Sequence, residues 1–109
     1  MFRVNLFFIV LSLGACQSTW ADYDQTLYAT IATPSQEALD AHIATLESLV
    51  AIEPPPAGMC AELGYYLALS GRSDEMAYWF DRELSAYPQS ESFIKQLRDT
   101  IEPRTAIQP

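Results

Sequence analysis

Three consecutive prolines, Pro54-Pro55-Pro56, set the first limit on what this 109-residue chain can become. None of the three has a backbone N–H, and each biases the residue before it away from the α region. No helix runs through them, so they form a stiff connector between two stretches that must be read separately. Upstream, Thr33-Pro34-Ser35-Gln36 reads as a capping box with Pro34 at the first helical position. Leu39, Ile43, Leu46 and Val50 follow at spacings of four, three and four, which predicts an amphipathic helix running to Ile52. A shorter helix is expected over Asp22–Ile31, where Tyr23, Leu27 and Ile31 recur every four residues. Thr26 and Thr30 are poor helix formers and weaken that pattern.

Downstream, Ala57 to Ser70 is dense in apolar residues and predicts a third helix. Gly71-Arg72-Ser73 makes a turn, with Gly71 suited to a left-handed C-terminal cap. Ser73 is expected to cap a fourth helix whose first turn holds Asp74 and Glu75, matching the helix dipole. That helix presents Met76, Phe80, Leu84 and Tyr87 and breaks at Tyr87-Pro88. Ser90 is expected to cap a fifth helix over Glu91–Ile101, with Phe93, Ile94, Leu97 and Ile101 inward and Pro103 stopping it. No stretch alternates between hairpin turns as strands do. The expected fold is all-α: four to five antiparallel helices in one domain over residues 22–102, followed by a loose tail at 103–109.

The spacing of Leu63-Gly64, Leu67, Gly71, Phe80 and Pro88 resembles a tetratricopeptide repeat. Gly64 lacks a Cβ and lets the second helix approach, while Leu63, Leu67 and Phe80 fill the seam. Met76 and Glu83 stand where the repeat usually has small alanines, which predicts looser packing there. One such hairpin cannot bury its own face, so the helices at 34–52 and 91–101 are expected to cover it.

The N-terminus carries a different signal. Arg3 lies in a short polar start, and Leu6–Leu13 is apolar apart from Ser12. That run is far short of the roughly 20 residues needed to span a bilayer and has the length of a signal-peptide core. Leu13-Gly14-Ala15-Cys16 then resembles the bacterial lipobox. Cleavage is expected between Ala15 and Cys16, making residues 1–15 a signal peptide and Cys16 a lipidated first residue. Two or more acyl chains form a durable tether. The alternative is an ordinary secretory signal in which Cys16 is incidental. Gln17, in place of an aspartate, favours the outer membrane over retention at the inner one, with the protein on the periplasmic face. Residues 16–21 would form the lipidated cysteine and a linker whose last five residues reach about 17 Å at most.

Charge narrows the partners. The chain has 14 acidic and 6 basic residues, and losing Arg3 with the signal would take its net charge from −8 to −9. Phosphate backbones and anionic headgroups repel such a surface, so nucleic acid is not an expected partner and the lipid must carry the membrane binding. If Cys16 is alkylated, Cys60 remains as a lone thiol, tolerable when buried. Without a basic or histidine neighbour in sequence it is not expected to be a nucleophile. His42 is the one histidine and lies in register with Leu39 and Leu46, which reads as a half-buried helix residue and not a metal ligand. Glu62, Asp74, Glu75, Asp81 and Glu83 read as a solvated acidic face. There is no phosphate loop and no serine-nucleophile motif. No catalytic residue, cofactor or metal is expected. The aromatic residues are the remaining candidates. Tyr78, Trp79 and Phe80 point about 100° apart and cannot share one core. Tyr65, Tyr66 and Trp79 are therefore the expected partner-binding residues, against the plainer reading that all of them pack under flanking helices.

A wider resemblance rests on Trp20-Ala21-Asp22-Tyr23, Leu27-Tyr28, the His42-Ile43 to Leu49 helix, Ala61-Glu62-Leu63-Gly64-Tyr65, and Phe80 to Tyr87-Pro88 with Ser90 and Phe93. From Trp20 to about Leu97 the chain resembles a family of small bacterial lipoproteins catalogued as domain of unknown function 4810. Ala21 replaces a common glycine in the first of these segments. The resemblance implies an outer-membrane-type lipoprotein encoded near a curli-secretion-channel-like lipoprotein, and it brings no catalytic residues. The expected function is a non-catalytic adaptor binding envelope proteins, possible partners including other lipoproteins. The alternative is a structural or accessory subunit of a curli-secretion-channel-like complex.

Overall fold

The computed structural model describes the backbone of residues 20–107 and the side chains of residues 20–101. The expected signal segment 1–15, the lipidation site Cys16 and linker residues 17–19 lie outside the described residues. The described chain is all-α. It comprises α1 (20–32), α2 (Gln36–Val50), α3 (Met59–Leu69), α4 (Ser73–Ala86) and α5 (Glu91–Ile107), with a 3-10 turn at Pro88–Ser90, and no strand among the described residues. It divides into two compact units, Met1–Thr45 and Leu46–Pro109, with the boundary inside α2.

In the first unit, Trp20 and Ala21 are already helical, so the last two residues of the expected linker belong to α1. The threonines are accommodated because their hydroxyls turn back onto the helix. Thr26 Oγ1 donates to Asp22 O at 2.8 Å and Thr30 Oγ1 to Leu27 O at 2.7 Å. Tyr23 and Leu27 are half-buried, but Ile31 is 72% exposed. A spacing of four drifts about 40° per step, so the third residue of the series has left the buried face. The capping box is displaced as well. Thr33 closes α1, its N–H donating to Ala29 O at 3.0 Å, because the following Pro34 disfavours the α region there. Ser35 caps α2 instead, its Oγ accepting the Ala38 N–H at 3.0 Å, and the Gln36 amide donates to Asp40 Oδ1 at 2.8 Å. The buried face of α2 contains His42, Ile43, Leu46, Leu49 and Val50; of the expected stripe Leu39 is only half-buried, while His42 and Leu49 join it.

The second unit is built on the α3–α4 hairpin. Gly71 takes φ +84°, the Arg72 N–H donates to Leu67 O at 2.8 Å and the Gly71 N–H to Ala68 O at 3.0 Å. These two bonds make a Schellman motif, which satisfies the last carbonyls of α3. The motif leaves Arg72 at the N-cap of α4, so Ser73 is the first helical residue and not the cap. Arg72 instead pairs with Glu75, Nη2 to Oε1 at 2.7 Å. The helices run antiparallel, with Gly64 facing Phe80 and Ala61 facing Glu83. A Cβ on Gly64 would lie 2.7 Å from Phe80 Cδ1 and Cε1 and 3.1 Å from Met76 O. The seam is thus closed at Met76, contrary to the looser packing expected there, because contact is made through its backbone.

Helix α5 completes this core. Ile94 and Ile101 cluster with Ala61, Ala68 and Phe80, and Tyr65, Met76, Leu84 and Leu97 pack against them. Phe93, expected inward, is 46% exposed, since it stands 100° from Ile94 and off the 94/101 stripe. Ser90 does not cap α5, because its hydroxyl donates to Glu83 Oε2 at 3.2 Å. Pro103 does not end α5, which continues to Ile107. Proline here removes one N–H whose partner would be the carbonyl of the exposed Asp99, a group water can satisfy.

Candidate partner groove

Between α3 and α5 lies an open cavity of about 330 Å³. Met59, Glu62, Tyr65 and Tyr66 from α3 and Phe93 and Leu97 from α5 line it, with Gly58 at the head of α3. The spacing explains the wall. Met59, Glu62 and Tyr66 stand at i, i+3 and i+7, and Phe93 and Leu97 at i and i+4, so each set shares a helix face. The Tyr65 and Tyr66 rings meet edge to face, 5.3 Å between centroids. Phe93 escaped the sequence reading because its position was assigned to the core. The usable signal was an aromatic and a leucine four apart beside, not on, the isoleucine stripe.

Trp79 is not part of this groove. It sits on α4, its ring edge to face with Tyr78 at 5.0 Å and the Arg82 guanidinium 5.5 Å above it. The structure therefore brings together Tyr65 and Tyr66 but separates Trp79 from them. Helix α4 turns Phe80 and Glu83 inward, and Trp79 points about 100° away from Phe80.

The head of α3, beside the groove, is organised by Glu83. This side chain is 1% exposed, which corrects its assignment to a solvated acidic face. Its Oε2 accepts the Gly58 N–H and its Oε1 the Ala61 N–H, each at 3.2 Å. The Ser90 hydroxyl is its third donor. Gly58, with φ +87°, is the N-cap of α3, so a carboxylate from α4 occupies the positive end of that helix. Tyr87 donates its hydroxyl to Pro55 O at 2.6 Å, and Arg82 approaches Glu53 at 3.7 Å. The C-terminal half of α4 thus holds the proline connector and the start of α3. The remaining acids differ: Asp74, Glu75 and Asp81 are exposed, and Glu62 is half-buried on the groove wall.

Cys60 is buried, and burial first, then the negative charge of Glu83, pushes its thiol above the usual range. A thiol held protonated is a poor nucleophile. His42 is wholly buried where a half-buried position was expected, because the Thr26 hydroxyl lies 2.8 Å from Nδ1 and the Tyr23 ring packs 5.4 Å away. Among the described residues, no group of three or more His, Cys, Asp or Glu side chains is placed to hold a metal ion, and no helix is long and apolar enough to cross a membrane.

No curated protein and no solved structure matches this chain. The family described as Domain of unknown function (DUF4810) matches over residues 18–97, and the chain belongs to that family.

Proposed function

We propose that this protein is a non-catalytic adaptor that binds other envelope proteins, held at the periplasmic face of the outer membrane by lipid on Cys16. One observation carries the adaptor reading: the groove between α3 and α5, where Tyr65, Tyr66, Phe93 and Leu97 stand together around an open volume of about 330 Å³. Aromatic side chains clustered at the surface are the usual anchors of protein interfaces. The lipobox-like Leu13-Gly14-Ala15-Cys16 supports the anchor. The Gly64–Phe80 contact and the Gly71 cap support a tetratricopeptide-like hairpin as the scaffold. The protonated, buried Cys60 and the fully engaged Glu83 favour a role without catalysis.

The test is capture of the intact lipoprotein from its own envelope in mild detergent, with partners identified by mass spectrometry. Cys16→Ser, Phe93→Ser and Trp79→Ser variants accompany it. A defined envelope partner lost with Phe93→Ser and kept with Trp79→Ser is the expected result. Unchanged capture by a folded Phe93→Ser variant, or no partner at all, would overturn the groove reading. A stoichiometric partner in a large ring would instead assign the protein as an accessory subunit of a channel complex.

A further inference from the structure

The first helix has an outward face that its own unit leaves uncovered. At 100° per residue, Ile31, Asp24 and Tyr28 fall about 20°, 40° and 80° from Trp20 around α1. Trp20 is 46% exposed, and Tyr28 and Ile31 are each 72% exposed. Turning the other way from Trp20, Leu27, Tyr23, Thr30 and Thr26 fall about 20°, 60°, 80° and 120° away and are all half-buried, with the Tyr23 ring 5.9 Å from that of Trp20, so the exposed arc begins at Trp20 and runs to Tyr28. Three large apolar side chains thus share one arc of a surface helix, along a length of about 16 Å at 1.5 Å per residue.

We infer that this face of α1 lies in the headgroup layer of a zwitterionic phospholipid bilayer, a second membrane contact beside the acyl chains. The inference rests on the lipid-anchor reading above, because chain length identifies the occupant. Four residue steps separate Cys16 from Trp20, a reach of at most about 14 Å. The headgroup layer is itself about 5–8 Å thick on each side. With Cys16 carrying lipid, Trp20 is confined to the neighbourhood of that layer. Tryptophan and tyrosine are the side chains that favour it, having an apolar body and a polar tip. Asp24, within the same arc, keeps the helix at the surface. It also selects headgroups that offer an ammonium over those with only negative charge, as does the net charge of −9 left once Arg3 is lost with the signal. The overall charge argues against flat adsorption, but the arc of α1 is a local exception held in place by the tether.

The test uses the full lipidated protein in phosphatidylcholine vesicles and exploits its two tryptophans, Trp20 and Trp79. Trp79→Phe isolates the emission of Trp20, and Trp20→Phe that of Trp79. Phosphatidylcholine brominated near the headgroup end of its chains is expected to remove about half of the Trp20 emission. Protein that floats with the vesicles while Trp20 escapes quenching overturns this inference and leaves the anchor standing. Failure of the native protein to float overturns the anchor and the inference together. Vesicles of phosphatidylglycerol are expected to reduce the quenching, and equal quenching there overturns the assignment to zwitterionic headgroups.

Discussion

Glu83 Oε1 accepts the backbone N–H of Ala61 at 3.2 Å, across the seam between α4 and α3. With Gly58 bound to the other oxygen, two of the four N–H groups that the start of α3 leaves without helical partners are satisfied by one side chain from the next helix. The bond is local to neither helix, so it ties the head of α3 to the packing of α4. Replacing Glu83 by alanine is expected to cost about 2–3 kcal/mol, since buried donors lose a charged acceptor. Glu83→Gln keeps one carbonyl oxygen and should lose about half as much. Urea unfolding of the three proteins checks this; an alanine variant as stable as the parent would mean that the capping bonds contribute nothing.

Gly64→Ala opposes two effects. Alanine gains about 0.5–1 kcal/mol over glycine in a helix interior, but overpacking a closed seam costs about 1–3 kcal/mol. The added Cβ would sit 2.7 Å from two carbons of the fully buried Phe80 ring, so the seam term should win. A net loss of about 1 kcal/mol is expected, a fall of roughly 4–8 °C in Tm for a domain this small. A variant as stable as the parent would show that the ring yields freely.

Cys60 should react with iodoacetamide only when the second unit opens, because the thiol is buried and its pKa is raised, first by burial and then by Glu83. The raised pKa also fixes a sign. Below the ordinary thiol range both states are protonated and stability is unaffected. Above it the unfolded chain loses the proton first, so stability falls as pH rises toward the folded value. Cys60→Ala should lack that alkaline fall. Labelling as fast in native protein as in urea would contradict the burial.

Arg72 and Glu75 pair on the surface at the start of α4, and the hydrogen bond from Arg72 holds the Glu75 carboxyl below its ordinary range. A lowered folded pKa means that the contribution is present above the unfolded carboxylate range and disappears as pH falls through the lowered value. Arg72→Gln should return the Glu75 titration, followed by NMR, toward the usual range. High salt should weaken the shift in the parent. An unmoved titration in Arg72→Gln would assign the shift to the helix terminus alone.

Much of the fold was legible from local pattern. The triproline connector, the Gly71 turn, the Phe80 seam and the Tyr87-Pro88 break depend on dihedral preferences and on 3.6-residue periodicity, which neighbouring residues decide. The misplaced caps at Thr33, Ser73 and Ser90 share one cause. Each lies within a few residues of a rival terminus signal, and the hydroxyl that caps is chosen by where the chain turns. Half of the candidate site was legible for the same reason: Tyr65 and Tyr66 belong to a helix with an excess of aromatics. Phe93 and the separation of Trp79 depend on which flank of α3 each neighbouring helix covers.

The amino-acid sequence by itself determined the helices, the turn that folds α3 back against α4, and the glycine that lets them meet, because each follows from covalent geometry over a few residues. Only the tertiary structure decided that Glu83 is a buried cap and not a surface acid, that His42 is enclosed, and that Tyr65, Tyr66, Phe93 and Leu97 share a groove. A carboxylate in sequence reads as solvated until a partner is placed beside it. Here the partners are N–H groups more than twenty residues away, brought within hydrogen-bond distance by the antiparallel hairpin.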